Sequence, residues 1–303
     1  MRLEKYLSER NDIMKIKKAV IPAAGFGTRV LPITKAMPKE MLPIVDKPSI
    51  QYIVEEAVNS GITDICIILS RGKSIIEDHF DRAPELEEKL LSSKKIKDYD
   101  QIVDIAKLAN ITYIRQSEVK GLGHAIFCAK AFIGKEPFAV LYGDDVIMGE
   151  VPCCKQLLDQ YEIYQLGCVC MKEVPFELVT MYSSLKVENL HDNVFKITDM
   201  IEKPSTKELA FSNYSILGRC VLPPDIFEIL ENIPKGAGGE YQLTDAMKIL
   251  AQQQGMIGVD FVGKRYDMGS KLGILQATIE TGLHHPEIGE DFRNYLIQLS
   301  NHL

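Results

Sequence analysis

The feature that most constrains this chain is the stretch Pro22-Ala23-Ala24-Gly25-Phe26-Gly27-Thr28-Arg29, which follows a short apolar run from Lys18 and leads on to Lys39. Two glycines one residue apart let the main chain turn tightly and bring N–H groups close to a ligand. Arg29 adds a planar guanidinium fork and Lys39 a mobile point charge, the pair of cations suited to a polyphosphate. The segment therefore predicts a strand followed by a phosphate cradle, in an enzyme that handles a nucleoside triphosphate.

Two common nucleotide patterns are excluded. The dinucleotide fingerprint requires a third glycine where Val30 stands. The Walker pattern requires Gly-Lys-Ser/Thr, which does not follow this glycine pair. Pro32, Pro38 and Pro43 punctuate the chain beyond Arg29, so 34–42 cannot form one uninterrupted helix.

With 303 residues, 46% of them hydrophobic, the chain can bury a large core. A net charge of −7 disfavours a general nucleic-acid or membrane-surface role, although Arg29, Lys35 and Lys39 make a local positive cluster. No apolar run approaches the roughly 18 residues of a membrane span, and the polar start carries no signal-peptide core, so a cytoplasmic location is expected. Seven cysteines without a Cys-x-x-Cys pair read as reduced core residues, and the spacing of Cys153, Cys154, Cys168 and Cys170 is unusual for zinc. His284-His285, before Pro286, reads as a surface turn.

Hydrophobic periodicity predicts strands over 18–23, 64–69, 111–114 and 137–141 and helices over 50–60 and 123–132, with two or three helices between 75 and 108 broken at Ser92-Ser93. Beyond Val151 it predicts a helix, then strands over 167–171, 184–187 and 194–200, helices over 225–232, 243–253 and 271–281, and a strand over 258–262. These later strands suggest a mixed half-sheet closing over the second substrate. Alternating strands and helices imply an α/β fold with a mostly parallel sheet, whose ligands collect beyond the carboxyl ends of the strands. Asp144 and Asp145, after an apolar strand and Gly143, would lie there.

The string from Gly25 to Pro48 resembles the signature of the sugar nucleotidyltransferases, specifically the bacterial UTP-glucose-1-phosphate uridylyltransferases. The resemblance continues through Gln116, Gly121-Leu122-Gly123-His124-Ala125, Gly143-Asp144-Asp145, Glu202-Lys203-Pro204, the 239–245 run GEYQLTD and Tyr266-Asp267-Met268-Gly269. It covers the chain from about Lys17 to Leu283. It implies a Rossmann-like nucleotide-diphospho-sugar transferase fold over 17–283, preceded by an extension over 1–16 and followed by a helical segment over 284–303 fit for subunit contacts in a homodimer or homotetramer.

It also implies an activity: transfer of a uridylyl group from UTP to glucose 1-phosphate, giving UDP-glucose and pyrophosphate with Mg²⁺. Asp144 and Asp267 correspond to the metal acids, and Arg29, Lys39 and Lys203 to the phosphate cations. Glu202 corresponds to the hexose ligand. Ala23, Ala24, Gly25, Gly27 and Thr28 correspond to the nucleotide cradle, and Gln116 and Gly121 to the pyrimidine readers. Such chemistry needs positioning and charge neutralisation rather than a side-chain nucleophile. A relative using dTTP or another hexose 1-phosphate is the near alternative, and a non-catalytic sugar-nucleotide sensor the distant one. One departure stands out: Tyr182 is followed by Ser183, where the family commonly has a glycine near the hexose.

Overall fold

The computed structural model describes Lys15 to His302, so the extension expected over 1–16 falls almost wholly outside the described residues. The strand expected before the glycine turn is Lys18–Pro22 (β1), and its period-two alternation divides it between two apolar clusters, Ala19 and Ile21 in one and Val20 in the other. The proline-punctuated segment forms three separate 3₁₀ turns, Thr28–Val30, Ile33–Lys35 and Lys39–Met41, and no long helix.

A small hairpin of Pro43–Ile44 (β2) and Lys47–Pro48 (β3) leads into helix Ser49–Asn59 (α1), and Asp64–Leu69 (β4) then lies parallel to β1. The charged stretch forms three helices, Ser74–Phe80 (α2), Pro84–Ser92 (α3) and Ile96–Ile105 (α4), before Asn110–Arg115 (β5) joins β4 in parallel. The helix expected over 123–132 is two pieces, Leu122–Cys128 (α5) and Lys130–Ile133 (α6), which meet at Ala129 with φ −83° and ψ −1°. Phe138–Leu141 (β6) and Asp145–Met148 (β7) flank the Gly143-Asp144 corner, and Cys153–Tyr164 (α7) follows.

The later half comprises Cys168–Glu173 (β8), Ser183–His191 (β9), Val194–Glu202 (β10), Tyr214–Leu222 (β11), Ile226–Asn232 (α8) and Leu243–Gln254 (α9). It ends with Met256–Asp260 (β12), Lys264–Asp267 (β13), Lys271–Leu283 (α10) and Gly289–Ser300 (α11). These strands do not make a separate half-sheet. One nine-stranded sheet runs β5-β4-β1-β6-β11-β8-β12-β10-β9, with β5, β4, β1 and β6 parallel and β11 inserted antiparallel between β6 and β8. A two-stranded pairing of β7 with β13 sits apart from it, setting Asp267 opposite Asp145.

The join between the halves is held by a charge. Arg219, on β11, is 1% exposed, and its Nε and Nη2 donate to Glu56 of α1 at 3.0 and 2.6 Å. The same Nη2 donates to the Asp145 carbonyl at 2.8 Å, and Nη1 to that of Gly218 at 3.0 Å. Glu56 also accepts the Cys154 N–H at the start of α7. Removing one partner of such a pair strands a buried charge, at a cost of about 3–5 kcal/mol. Arg219→Met is accordingly expected to lower the midpoint of thermal unfolding by several degrees, as calorimetry would read directly; an unchanged midpoint would show that this join does not depend on the pair.

Candidate functional site

The Gly143-Asp144 corner after β6 and the β7–β13 pairing bring two carboxylates to face one guanidinium. Arg29 Nη1 lies 3.3 Å from Asp267 Oδ2, and Nη2 lies 3.6 Å from Asp144 Oδ2. Asp267 is fixed from behind by the Gly269 N–H at 2.8 Å, and the Asp144 carbonyl accepts the Met268 N–H at 2.8 Å, which ties the two acid-bearing corners together. Lys39 Nζ approaches Asp144 Oδ2 to 2.5 Å. Burial opposes ionisation of Asp144, but Lys39, Arg29 and Arg265 outweigh it and hold the carboxyl below its usual range. Burial likewise opposes charge on Lys39, and Asp144 and Glu40 overcome it, raising that ammonium's pKa.

Asp145 plays a different part from its neighbour. It is buried and takes Arg265 at 2.7 Å through Nε, with Nη2 at 2.5 Å from the same oxygen. Burial pushes its carboxyl up, to about 6, against the pull of Arg265. Arg265 gave no signal in the sequence beyond its place beside the Tyr266-Asp267 motif.

A cleft of about 560 Å³ opens from these acids. Arg29, Asp144, Asp267, Glu202 and Lys203 all line it, so five of the residues picked from sequence converge there. Thr244 Oγ1 donates to Glu202 Oε2 at 2.8 Å, and Lys203 Nζ lies 3.6 Å from Oε1. Lys203 adopts φ 45°, a left-handed conformation that costs a non-glycine residue about 1–2 kcal/mol. Its N–H is held there by the Tyr182 carbonyl at 3.0 Å, leaving the ammonium exposed at the cleft.

The nucleotide-side residues lie outside this cleft's lining. Ala23 and Ala24 are buried at the end of β1, Gly25 borders the Lys39 ammonium, Gly27 opens the first 3₁₀ turn at φ 69°, and Thr28 is exposed. Gln116 is 2% exposed, and its Nε2 faces His124 Nδ1 at 2.8 Å and the Gly121 carbonyl at 3.2 Å. Burial lowers the His124 pKa, consistent with a neutral ring whose Nδ1 accepts from this amide. Gly121 has a reason of its own for lacking a side chain: at φ 104° a Cβ there would stand 2.8 Å from the Tyr241 carbonyl and 2.7 Å from Glu240 Cβ. The packing of Glu240 and Tyr241 by itself thus requires a glycine here.

Among the described residues, no group of three or more His, Cys, Asp and Glu side chains is arranged to hold a metal. Cys153 and Cys170 meet in the core at 2.7 Å between sulfurs, with Cys154 and Cys168 buried nearby, and His285 faces Asp46 at 3.3 Å. No helix of the described residues is long and apolar enough to cross a membrane.

The nucleotidyl transferase family model matches residues 18–282, and the chain belongs to that family. It is 50% identical over 282 residues to UTP–glucose-1-phosphate uridylyltransferase YngB of Bacillus subtilis, covering 93% of this chain and 95% of that one. It is 49% identical over 285 residues to a UTP–glucose-1-phosphate uridylyltransferase of Staphylococcus epidermidis, covering 94% and 99%. A crystal structure of UDP-glucose pyrophosphorylase complexed with UDP-glucose matches with TM-score 0.81 and 43% identity, over 89% of this chain and all of that one. A UTP-bound enzyme from Acinetobacter baumannii matches with TM-score 0.85 and 37% identity, over 94% and 99%.

Ser183 can be judged from the geometry. Its Oγ accepts the Ile216 N–H at 3.0 Å and its carbonyl accepts Ser215 Oγ at 2.5 Å, so the hydroxyl serves the seam between β9 and β11. Ser183→Gly is therefore expected to lose about 1 kcal/mol of stability through the unpaired Ile216 N–H. The ratio of catalytic efficiencies with glucose and galactose 1-phosphate should stay within about tenfold of the parent. A larger change in that ratio would place the side chain in the sugar pocket.

Proposed function

We propose that this chain transfers a uridylyl group from UTP to α-D-glucose 1-phosphate, releasing UDP-glucose and pyrophosphate. The observation that carries the reading is one cleft in which Asp144, Asp267 and Arg29 face Glu202 and Lys203, in a chain about half identical to uridylyltransferases over nearly its whole length. A phosphate oxygen of glucose 1-phosphate attacks the α-phosphorus, forming one P–O bond as the bond to pyrophosphate breaks. The attacking phosphate is already deprotonated at neutral pH, so the residues act by placement and charge.

Lys203 neutralises the sugar phosphate, and Glu202, with one oxygen committed to Thr244, offers the other to hexose hydroxyls. Arg29 and Lys39 take the triphosphate. Main-chain groups of Ala23, Ala24, Gly25, Gly27 and Thr28 border the nucleotide, while Gln116 and Gly121 border the pyrimidine. Asp144 and Asp267 would hold Mg²⁺. The fit is supported by the two carboxylates facing the same guanidinium, Arg29, and by the chemistry of Mg²⁺, which takes only one or two carboxylates beside water and phosphate oxygens. When bound there, the ion offsets charge on the reacting phosphates. A catalytic unit over 17–283 with a helical segment over 284–303 completes this reading, in a reducing cytoplasmic setting suited to the free cysteines.

Pyrophosphate release from UTP and glucose 1-phosphate, measured with and without Mg²⁺, tests the activity. Asp144→Asn and Asp267→Asn are each expected to reduce turnover by about a hundredfold or more, roughly 2.7 kcal/mol of barrier, with the fold retained. Near-normal turnover in both would refute the metal assignment.

A homodimer or homotetramer is supported by the inversion of α10, which turns Gly273, Ala277 and Gly282 inward and exposes Leu272, Leu275 and Ile279 at 63%, 58% and 39%. A helix apolar on its outer face calls for a cover. Replacing Leu272 and Leu275 together by Asp should lower the mass seen by light scattering; a parent that is itself monomeric at micromolar concentration would end this part of the reading.

A further inference from the structure

Lys73 and Glu40 form a buried pair that the mechanism above does not use. Lys73 precedes α2 in the loop after β4, and the two side chains are 7% and 0% exposed. Lys73 Nζ donates to Glu40 Oε2 at 2.8 Å and to the main-chain carbonyl of Ala23 at 2.5 Å. The second carboxylate oxygen, Glu40 Oε1, is buried without a hydrogen-bond partner. Burial pushes the Glu40 carboxyl up and the Lys73 ammonium down, so the attraction within the pair does not offset its desolvation.

Such a pair is a poor device for stability. A buried ion pair competes badly with apolar residues of the same volume, and an unpaired oxygen makes the comparison worse. Its surroundings offer another account. Ala23 is the first residue of the nucleotide cradle, and Glu40 follows Lys39 in the same 3₁₀ turn. Directly above lies the corner that carries Asp144, packed so closely that a Cβ on Gly143 would stand 2.8 Å from the Pro22 carbonyl and 3.4 Å from Glu40 Cγ. Lys39 then meets Asp144 across this seat. Everything that Lys73 grips belongs to the nucleotide half, and Glu202, Lys203 and Thr244 on the sugar side have other partners.

We propose that Lys73 is a positioning residue for the nucleotide half of the site: by gripping Glu40 and the Ala23 carbonyl at once, it sets the place of Lys39, and through it of Asp144, relative to the cradle. The proposal rests on the functional reading above. It separates from a merely structural role because an apolar replacement of the whole pair restores packing without restoring the grip.

The test is the double variant Lys73→Met/Glu40→Leu, followed by thermal unfolding, steady-state kinetics with each substrate varied, and calorimetric titration with UTP alone. The expected result is a melting midpoint close to the parent's, with kcat lowered and the KM for UTP raised, each by about tenfold or more, and the KM for glucose 1-phosphate within about twofold of the parent. UTP binding should weaken correspondingly in the titration. A folded double variant with parental kcat and UTP affinity overturns the proposal, as do equal rises in both Michaelis constants. Lys73→Gln, which keeps a donor but shortens the reach and removes the charge, is read in the same way should the double variant not fold. A parent that binds UTP yet makes no UDP-glucose overturns the functional reading, and the UTP titration still decides the role of Lys73.

Discussion

Arg219 is the constraint on which the site's geometry depends. Its guanidinium takes Glu56 on α1, the Gly218 carbonyl on its own strand and the Asp145 carbonyl at the head of β7, so three elements meet at one buried cation. β7 pairs with β13 so that Asp267 stands opposite Asp145, and Asp144 is the residue before. The distance between the two acids at the cleft is thus set by a charge that never reaches it. The planar fork, with donors in fixed directions, is what lets one side chain hold all three partners; a lysine, a single point donor on a flexible stem, lacks that geometry.

Around the acids the charge is balanced before any substrate arrives. Asp144 has Lys39 and Arg29, Asp267 has Arg29, and Asp145 has Arg265. The two outer acids and the innermost one differ in exposure, and that difference sorts their tasks: Asp144 and Asp267 open onto the cleft, while Asp145 is spent on holding β13. Arg29 and Lys39 hold the acids that face the cleft: Asp144 meets both cations, and Asp267 meets Arg29.

Much of this was legible in the sequence because it is local. β4 falls on the residues expected, 64–69, and the Asp144 corner follows the apolar strand that pointed to it. The convergence of Glu202 and Lys203 with Asp144 came from the family resemblance alone, since their spacing in the chain carries no sign of it. β11 escaped the reading: Tyr214–Leu222 is a long apolar run interrupted by Gly218 and Arg219, and an arginine in a run normally argues against a buried strand. Its partner Glu56 lies on α1, far away in sequence, so neither periodicity nor composition could pair the two. The same holds for Lys73 with Glu40, and for Gly121 with Tyr241, where the reason for the residue is a neighbour from another part of the fold.

Ser183 shows how such a neighbour changes the meaning of a substitution. Read against the family pattern, a serine in place of glycine threatens the sugar pocket. In the fold, β9 runs beside β11, and the serine hydroxyl receives the Ile216 N–H, a donor that would otherwise be buried without a partner. Ser183 still borders the cleft, but its hydroxyl and its carbonyl are both committed to β11, through Ile216 N–H and Ser215 Oγ. The departure from the pattern is answered by Ser183 Oγ in the adjoining strand seam, while Glu202, Lys203 and Thr244 hold to one another along the same cleft.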